Sequence, residues 1–555
     1  MMEQVRMQSL LKIAMAGFGL LAGGPLAAQD ALDRTDPTQE EREEQDIPGF
    51  EGTPVELEFP PIAIDNTVFD DTAYDVGAIV LDNLIALTPG DFADIVQDYA
   101  ARTLTPGELS ALSDRVAARA RENGYIFASA FIAPQSLTGG VLRVRVEEGV
   151  IDDIRIQGAD DPAIRAQLQP LLDGRPVTLA RLERQVLLAD DIAGVSLRRP
   201  RYAREGGRGV LIVEAARARF SGRAELANDG SQPIGPLRAR IDIDANGLLS
   251  PFDEVDFTYS TVPDSPSELQ FVRGRYGIVL TPQGTEFVAT GSYSATNPGA
   301  YLEERRIFGQ SVQIGGQLRH PLRRSRGFSL WLDAEFEYRD LRQERFDALA
   351  RHDRIPVVRT SLYSRAIAVG GALSARLTLS QGLDILGATQ RGDPLASRPD
   401  ASPDFTVLSG WVRWQRDLSG PFSLALAGQG QISSTPLLIT EDIGLGGNRF
   451  LRGYNFSERS GDNGIMGSAE LRYDWDEAFG LVRGMQLYAY ADGGVVGNLD
   501  DGRGSGSLAS GGGGIRTDIT RDLDLDLELA VPLTGARYDT DDKSPRFNVS
   551  VSQSF

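Results

Sequence analysis

The stretch Leu330-Trp331-Leu332-Asp333-Ala334-Glu335-Phe336-Glu337-Tyr338 decides the fold. Successive side chains of an extended chain point to opposite sides, so Leu330, Leu332, Ala334, Phe336 and Tyr338 share one face while Trp331, Asp333, Glu335 and Glu337 share the other. One face is greasy and the other is charged. The same alternation recurs in Arg238-Ala239-Arg240-Ile241-Asp242-Ile243-Asp244-Ala245 and in Leu523-Asp524-Leu525-Asp526-Leu527-Glu528-Leu529, and strand signals repeat from about residue 219 to the end. A soluble sandwich alternates too, so the pattern alone does not choose. Three features select a membrane barrel. Acids and arginines crowd the polar face as a watered lumen would, the segments run about eight to ten residues as a tilted spanning strand requires, and the chain ends in a strand, Phe547–Phe555. Residues 219–555, at roughly 21 per strand with its connection, give about sixteen antiparallel strands.

Composition narrows the rest. The 555 residues allow several domains, and the absence of cysteine removes disulfides and thiolate metal sites. A net charge of −22 argues against nucleic acid as a partner. No run of eighteen apolar residues follows residue 28, which excludes transmembrane helices but not a barrel. Only His320 and His352 are present, and there is no G-x-S-x-G elbow, HExxH or Walker loop. Carboxylates recur at every second residue of the strands and so describe a polar wall; Gly511–Gly514 reads as backbone spacing. No enzyme, cofactor or metal site is expected.

Residues 1–28 read as an export signal: Arg6 and Lys12 precede the apolar run Ile13–Leu21, and Ala27-Ala28 stand before Gln29, although Leu26 is not the small residue preferred three back. Residues 29–70, with Glu40-Glu41-Arg42-Glu43-Glu44 and Pro60-Pro61, read as an acidic linker. Thr88-Pro89-Gly90-Asp91 and Thr105-Pro106-Gly107-Glu108 then place two helix starts. Leu109, Leu112, Val116 and Ala120 mark a buried helical face, and strands follow near Phe127–Ile132 and Val141–Val146. A second β-α-α-β-β unit repeats the order over Ile151–Ile156, Ala163–Leu172, Leu179–Ala189, Val195–Arg199 and Val210–Glu214.

Within the alternating region, Leu445-Gly446-Gly447-Asn448-Arg449-Phe450-Leu451-Arg452-Gly453-Tyr454 alternates poorly and reads as a long loop. Along Leu487–Asp492, Tyr488, Tyr490 and Asp492 share the lumen face. A carboxylate held there needs a cation, and Arg452 offers a bidentate partner. Taken alone, Arg452 reads equally well as a solvated loop residue. Leu451-Arg452-Gly453-Tyr454 resembles the V-R-G-Y/F motif of the two-partner secretion transporters (the TpsB family). Tyr490-Ala491-Asp492-Gly493-Gly494 resembles that family's aromatic-or-glycine-x-D-x-G strand motif, with Tyr490 in place of Phe or Gly. The resemblance implies that the loop folds into the barrel and that Arg452 pairs with Asp492. Glu470, Arg472 and Asp474 share a polar face of Ala469–Trp475 and are expected to line the lumen nearby.

Gly124-Tyr125, Ala133-Pro134-Gln135 and Val146-Glu147-Glu148-Gly149 resemble the end of a POTRA domain, and the terminal Phe555 resembles the assembly signal of outer-membrane barrels. The expected organisation is a POTRA domain over 71–149, a second over 150–216 and a barrel over 217–555, with an infolded loop at 445–464. The family resemblance further allows a plug helix before residue 70, although the linker reading fits that composition better. It implies an outer-membrane transporter with POTRA domains in the periplasm, exporting one large exoprotein. Outer-membrane lipids and the barrel-assembly machinery are the other implied partners. A barrel-assembly factor of the same superfamily, or a passive porin, is the alternative; two POTRA domains argue against the first and the periplasmic repeats against the second.

Overall fold

Sixteen antiparallel strands close on themselves, running from Phe220–Ala227 to Arg546–Ser554. The computed structural model describes residues 73–137, 139–476 and 482–555, so the export signal and acidic linker lie outside the described residues, as does any plug helix before residue 70. No described helix is long and apolar enough to cross a membrane. The barrel seam pairs Ser550–Ser554 with Ala227–Arg223. Phe555 extends it: its N–H donates to the Gly222 carbonyl at 2.9 Å, and its own carbonyl accepts the Gly222 N–H at 3.0 Å. A Cβ on residue 222 would stand 2.4 Å from the Phe555 ring, so glycine there lets the terminal aromatic lie across the first strand.

Alternation sorts the side chains as their chemistry demands. Leu332, Phe336, Ile241 and Ile243 are exposed on the outer face, whereas Asp333 and Glu337 are buried inside. Interior charges are matched: Arg319 reaches Asp333 at 2.9 Å and Arg359 reaches Glu441 at 2.9 Å. The strands depart from the expected eight to ten residues. Ile307–Arg323, Phe328–Arg345 and Ala348–Ala368 hold 17, 18 and 21 residues. At about 3.3 Å per residue they far exceed a membrane crossing. The pattern shortens them because an apolar face is required only where lipid lies. Beyond it the hairpin keeps its backbone bonds while sequence such as Arg351-His352-Asp353-Arg354 does not alternate.

Two small α/β units precede the barrel. In the first, strand Val141–Glu147 lies between Ala78–Asp82 (parallel) and Ser129–Phe131 (antiparallel). Helix Pro106–Glu122 packs on this sheet, burying Leu109, Leu112, Val116 and Ala120 against Leu142, Val144 and Val146. Its start is fixed by a capping box, in which the Thr105 N–H donates to Glu108 at 2.8 Å and the Thr105 hydroxyl accepts the Glu108 N–H at 3.3 Å. That backbone bond holds the Glu108 carboxyl below its usual range. A short additional ribbon, Tyr74–Val76 with Arg102–Leu104, departs from the simple β-α-α-β-β order. The second unit repeats the core arrangement, with Arg208–Arg217 central between Asp153–Gly158 and Val195–Glu205.

The Glu148-Gly149 ending is structural. Buried Glu148 accepts the N–H groups of Ile85, Ala86 and Leu87 at 3.1, 2.7 and 2.9 Å, pinning a turn of the first unit. Gly149 has φ +85°, and a Cβ there would meet Phe127 at 2.5 Å. The second unit is bound to the barrel's turns. Arg324 pairs with Asp191 at 2.7 Å, Arg326 with Glu183 at 2.9 Å, and Gln167 donates to the Pro282 carbonyl at 2.7 Å.

The infolded loop and its charge clamp

The segment 434–462 joins strands Phe422–Ser433 and Asn463–Asp476 at the end of the barrel away from the α/β units. It therefore begins earlier than the expected 445, and residues 463–464 already belong to the barrel wall. Its root is a two-stranded ribbon, Ile443–Leu445 with Arg459–Gly461, because Gly446 and Gly447 turn the chain at φ +111° and +117°. The tip enters the lumen for a hydrophobic reason. Leu445, Phe450, Leu451 and Tyr454 are buried in one cluster with Tyr363, Trp411, Met466, Val496 and Leu508 of the wall.

Two glycines make the close approach possible. A Cβ on Gly494 would lie 2.7 Å from Leu445 and 3.2 Å from Leu451. One on Gly453 would lie 2.9 Å from both the Pro532 nitrogen and the Val531 carbonyl carbon. Leu451 itself sits at φ +59°, an unfavourable region for a branched side chain, held by its fully buried position. The Tyr454 hydroxyl donates to the Gly535 carbonyl at 3.1 Å and accepts the Thr534 N–H at 3.3 Å. Gly453→Ala is thus expected to weaken loop docking by about 1–3 kcal/mol, the cost of overpacking against backbone that cannot shift. Limited proteolysis should cut within 434–462 at least severalfold faster, while the mobility of the unheated barrel on gels stays unchanged.

Arg452 is the charged centre of the tip. Its Nε and Nη2 donate to the two oxygens of Asp492 at 3.2 Å each, and its backbone N–H reaches the same carboxylate at 3.2 Å. Nη1 meets Glu470 at 2.9 Å and Glu528 at 3.5 Å, and Nη2 donates to the Ser468 hydroxyl at 3.3 Å. The guanidinium lies 3.3 Å from the Tyr490 ring centroid. Arg452 and Asp492 are both buried, so each charge depends on the other. Gly512 and Gly514 make room for this aromatic layer, since a Cβ at either would stand 2.7 or 2.6 Å from the hydroxyl of Tyr490 or Tyr488.

The polar wall divides. Glu470 touches Arg452 directly. Arg472 acts only through Glu470, at 2.7 Å, and also donates to Gln415 at 3.0 Å. Asp474 is exposed, accepts from Gln486 at 2.7 Å and takes no part in the clamp. Sequence reasoning missed Glu528, Arg516 and Ser468. The alternation of Leu523–Leu529 does turn Glu528 inward, but its height along the axis is set by pairing, which places Glu528 opposite Gly514 and Asn548.

A second ionic clasp holds the loop's root. Arg398, from the segment joining strands Gly371–Gly382 and Thr406–Asp417, meets both oxygens of Asp462 at 2.8 Å. Asp462 also accepts the N–H groups of Leu437 and Leu499 at 2.7 Å each. Three segments at the far mouth of the barrel thus converge on one buried carboxylate.

A membrane barrel carrying two α/β units, with a loop clamped inside its lumen, defines an outer-membrane transporter of the assembly-barrel type. The family model for haemolysin secretion/activation protein ShlB/FhaC/HecB matches residues 206–517, and that for the ShlB-type POTRA domain matches residues 74–149. The chain belongs to the ShlB/FhaC/HecB family of haemolysin secretion/activation proteins. It is a two-partner secretion transporter of the outer membrane, with POTRA domains in the periplasm, and it exports an exoprotein to the cell surface. Among its relatives, the heme/hemopexin transporter protein HuxB of Haemophilus influenzae (strain 86-028NP) is 22% identical over 399 residues, 69% of either chain. The outer membrane transporter CdiB of Escherichia coli is 24% identical over 465 residues, 80% of this chain and 76% of the relative. The solved structure of CdiB from Escherichia coli superposes with a TM-score of 0.73 at 20% identity, covering 95% of this chain and all of that one.

Proposed function

We propose that the 434–462 loop is the gate of the transporter and that Arg452, clamped by Asp492, Glu470 and Glu528, holds the gate shut. The observation that carries this reading is the burial of one guanidinium among three carboxylates from three wall strands, at the tip of a segment that enters the lumen. Leu451, Gly453 and Tyr454 seat the tip, Tyr490 and Gly494 form its floor, and Arg472 steadies Glu470. An unfolded client displaces the loop as it threads the pore.

In this reading the POTRA domains, taken as 71–149 and 150–216, capture the client in the periplasm. Among the described residues the sheet edge at Val195–Glu205 pairs with a neighbour on one side only, which suits main-chain addition of an extended client strand. Folding of a large β-rich exoprotein outside the cell then drives transit without nucleotide and without catalysis by this chain. Phe555 serves as the signal read by the barrel-assembly machinery, and the exposed aliphatic face of the barrel contacts outer-membrane lipid.

A tether tests the gate. With no native cysteine, Asn455→Cys and Asp539→Cys can be joined by a short bismaleimide, because the two side chains are hydrogen-bonded at 2.7 Å in the seated state. Export should fall at least tenfold on cross-linking and stay near normal in the same variant left unlinked. Equal export in both states would remove loop displacement from the mechanism.

A further inference from the structure

One level of the lumen wall is aromatic. Trp331, Tyr363, Arg376 and Trp411 stand opposite one another across four consecutive strands, Phe328–Arg345, Ala348–Ala368, Gly371–Gly382 and Thr406–Asp417. Residues paired in register share a face, and Trp331 lies on the same face as the inward Asp333, so the whole row points into the lumen. The Trp331 and Tyr363 rings stack at 5.3 Å, the Tyr363 and Trp411 rings lie 5.9 Å apart, and the Arg376 guanidinium stands 5.4 Å from the Tyr363 ring. The adjoining inward rows are polar, with Asp333, Ser361 and Ser409 on one side and Ser329, Arg365 and Ser374 on the other. The row is thus an aromatic band between polar ones.

Its two ends touch different parts of the molecule. At the periplasmic end the Arg324 guanidinium lies 5.3 Å from the Trp331 ring, and Arg324 also pairs with Asp191 of the second α/β unit. Paired rows climb along a barrel's axis because the strands tilt, and Trp411 lies mid-strand, in one buried cluster with Phe450, Leu451 and Tyr454 of the loop tip. The band therefore runs from the junction with the periplasmic units to the seat of the loop. Tyr363 and Trp411 are only 8% and 6% exposed, and no described group accepts the Trp411 indole N–H. A buried indole donor ordinarily finds an acceptor. An extended polypeptide offers a carbonyl at every residue, and the seated loop gives Trp411 none.

We propose that this band is the contact surface for the exported chain in transit. The ring faces of Trp331, Tyr363 and Trp411 shelter apolar side chains of the extended client, and the Trp411 indole N–H donates to its backbone carbonyls. The proposal rests on the gate reading, because a client reaches Trp411 only after the loop tip has left it. Contacts of this kind are individually weak and repeated, which lets a chain enter and still move on. Phe450, Leu451 and Tyr454 are then resident competitors, covering the inner end of the band until a client segment replaces them.

The test is single-channel recording in planar bilayers on the full chain with residues 446–457 replaced by Gly-Ser repeats, which clears the pore whatever holds the loop shut. The probe is a long synthetic peptide of repeating Gly-Ser-Val-Asn, added on the side of the α/β units. Transient blockades are expected, and their residence time should shorten at least threefold in Trp411→Phe, which keeps an aromatic ring and deletes the N–H. The Trp331→Leu/Trp411→Leu double variant should shorten it at least tenfold; the single Phe variant keeps the test decisive if the double variant does not insert. Ser409→Ala, on the adjoining polar row, should leave residence unchanged, and open-pore conductance should be the same throughout, which a collapse of the wall would alter. Absence of blockades before the tryptophans are changed, or equal residence with and without Trp411→Phe, overturns the proposal. Failure of the gate reading shows separately, as a conductance of the shortened-loop chain no higher than that of the unaltered protein.

Discussion

Arg452→Ala is expected to unseat the 434–462 loop and leave the pore unable to close, while the barrel still inserts in the outer membrane. The substitution leaves Asp492, Glu470 and Glu528 facing one another around an emptied position. Removing one partner of a buried ion pair costs about 3–5 kcal/mol, because the remaining charge keeps its desolvation penalty. Relief is available by undocking the loop, so the cost falls on gate closure and not on the wall, whose strands keep their backbone pairing. Undocked loops should show faster protease cleavage within 434–462 from outside the cell and a larger resting conductance in planar bilayers. Asp492→Ala should behave alike, and the double variant should be little worse than either single, since the two residues share one interaction. Arg452→Lys should rescue poorly, because an ammonium cannot present two parallel N–H groups to Asp492. Unchanged loop accessibility and unchanged resting conductance in Arg452→Ala would refute the assigned role.

Asp462→Ala is the second large effect, expected at the mouth of the barrel. The Asp462 side chain is fully buried, binds Arg398 through both oxygens and accepts two backbone N–H groups. Its loss leaves two amide donors without their acceptor, at about 1–3 kcal/mol each, and leaves the Arg398 guanidinium, among the described residues, with Asp400 alone as its carboxylate partner, at 3.0 Å. Three segments lose their common anchor: the one carrying Arg398, the root of the infolded loop near Leu437, and the hairpin at Leu499. Hydrogen exchange should accelerate at the Leu437 and Leu499 amides by two orders of magnitude or more, with the amides of strand Gly484–Gly497 unaffected. Arg398→Ala should loosen the same segments, but less at those amides, because Asp462 still accepts both N–H groups. Equal protection in Asp462→Ala and the unaltered protein would show that the clasp does not hold the mouth.

Much of the architecture was legible as period. Alternation told which residues of Leu330–Tyr338 face outward, and the capping boxes at Thr88 and Thr105 marked helix starts, because both signals arise from residues two to four apart. The break in alternation at Leu445–Tyr454 disclosed the loop, and the resemblance of Leu451–Tyr454 and Tyr490–Gly494 to a family's paired motifs implied where it binds. Strand length was under-read, since a strand continuing past the lipid carries no apolar pattern even though its hydrogen bonds persist.

By itself the sequence determined the faces of the strands and the order of the α/β units, while the pairing of one loop cation with one lumen carboxylate was implied by the resemblance of two short motifs to a known family. Only the tertiary structure decided the company they keep: that Glu470 and Glu528 join Asp492 around Arg452, that Asp474 does not, and that Arg398 reaches Asp462. The physical reason is that a two-residue period fixes direction but not height. Register between neighbouring strands, closure of the sixteenth strand on the first and the depth to which the loop descends set which charges share a level of the lumen, and each of these depends on residues tens to hundreds of positions apart.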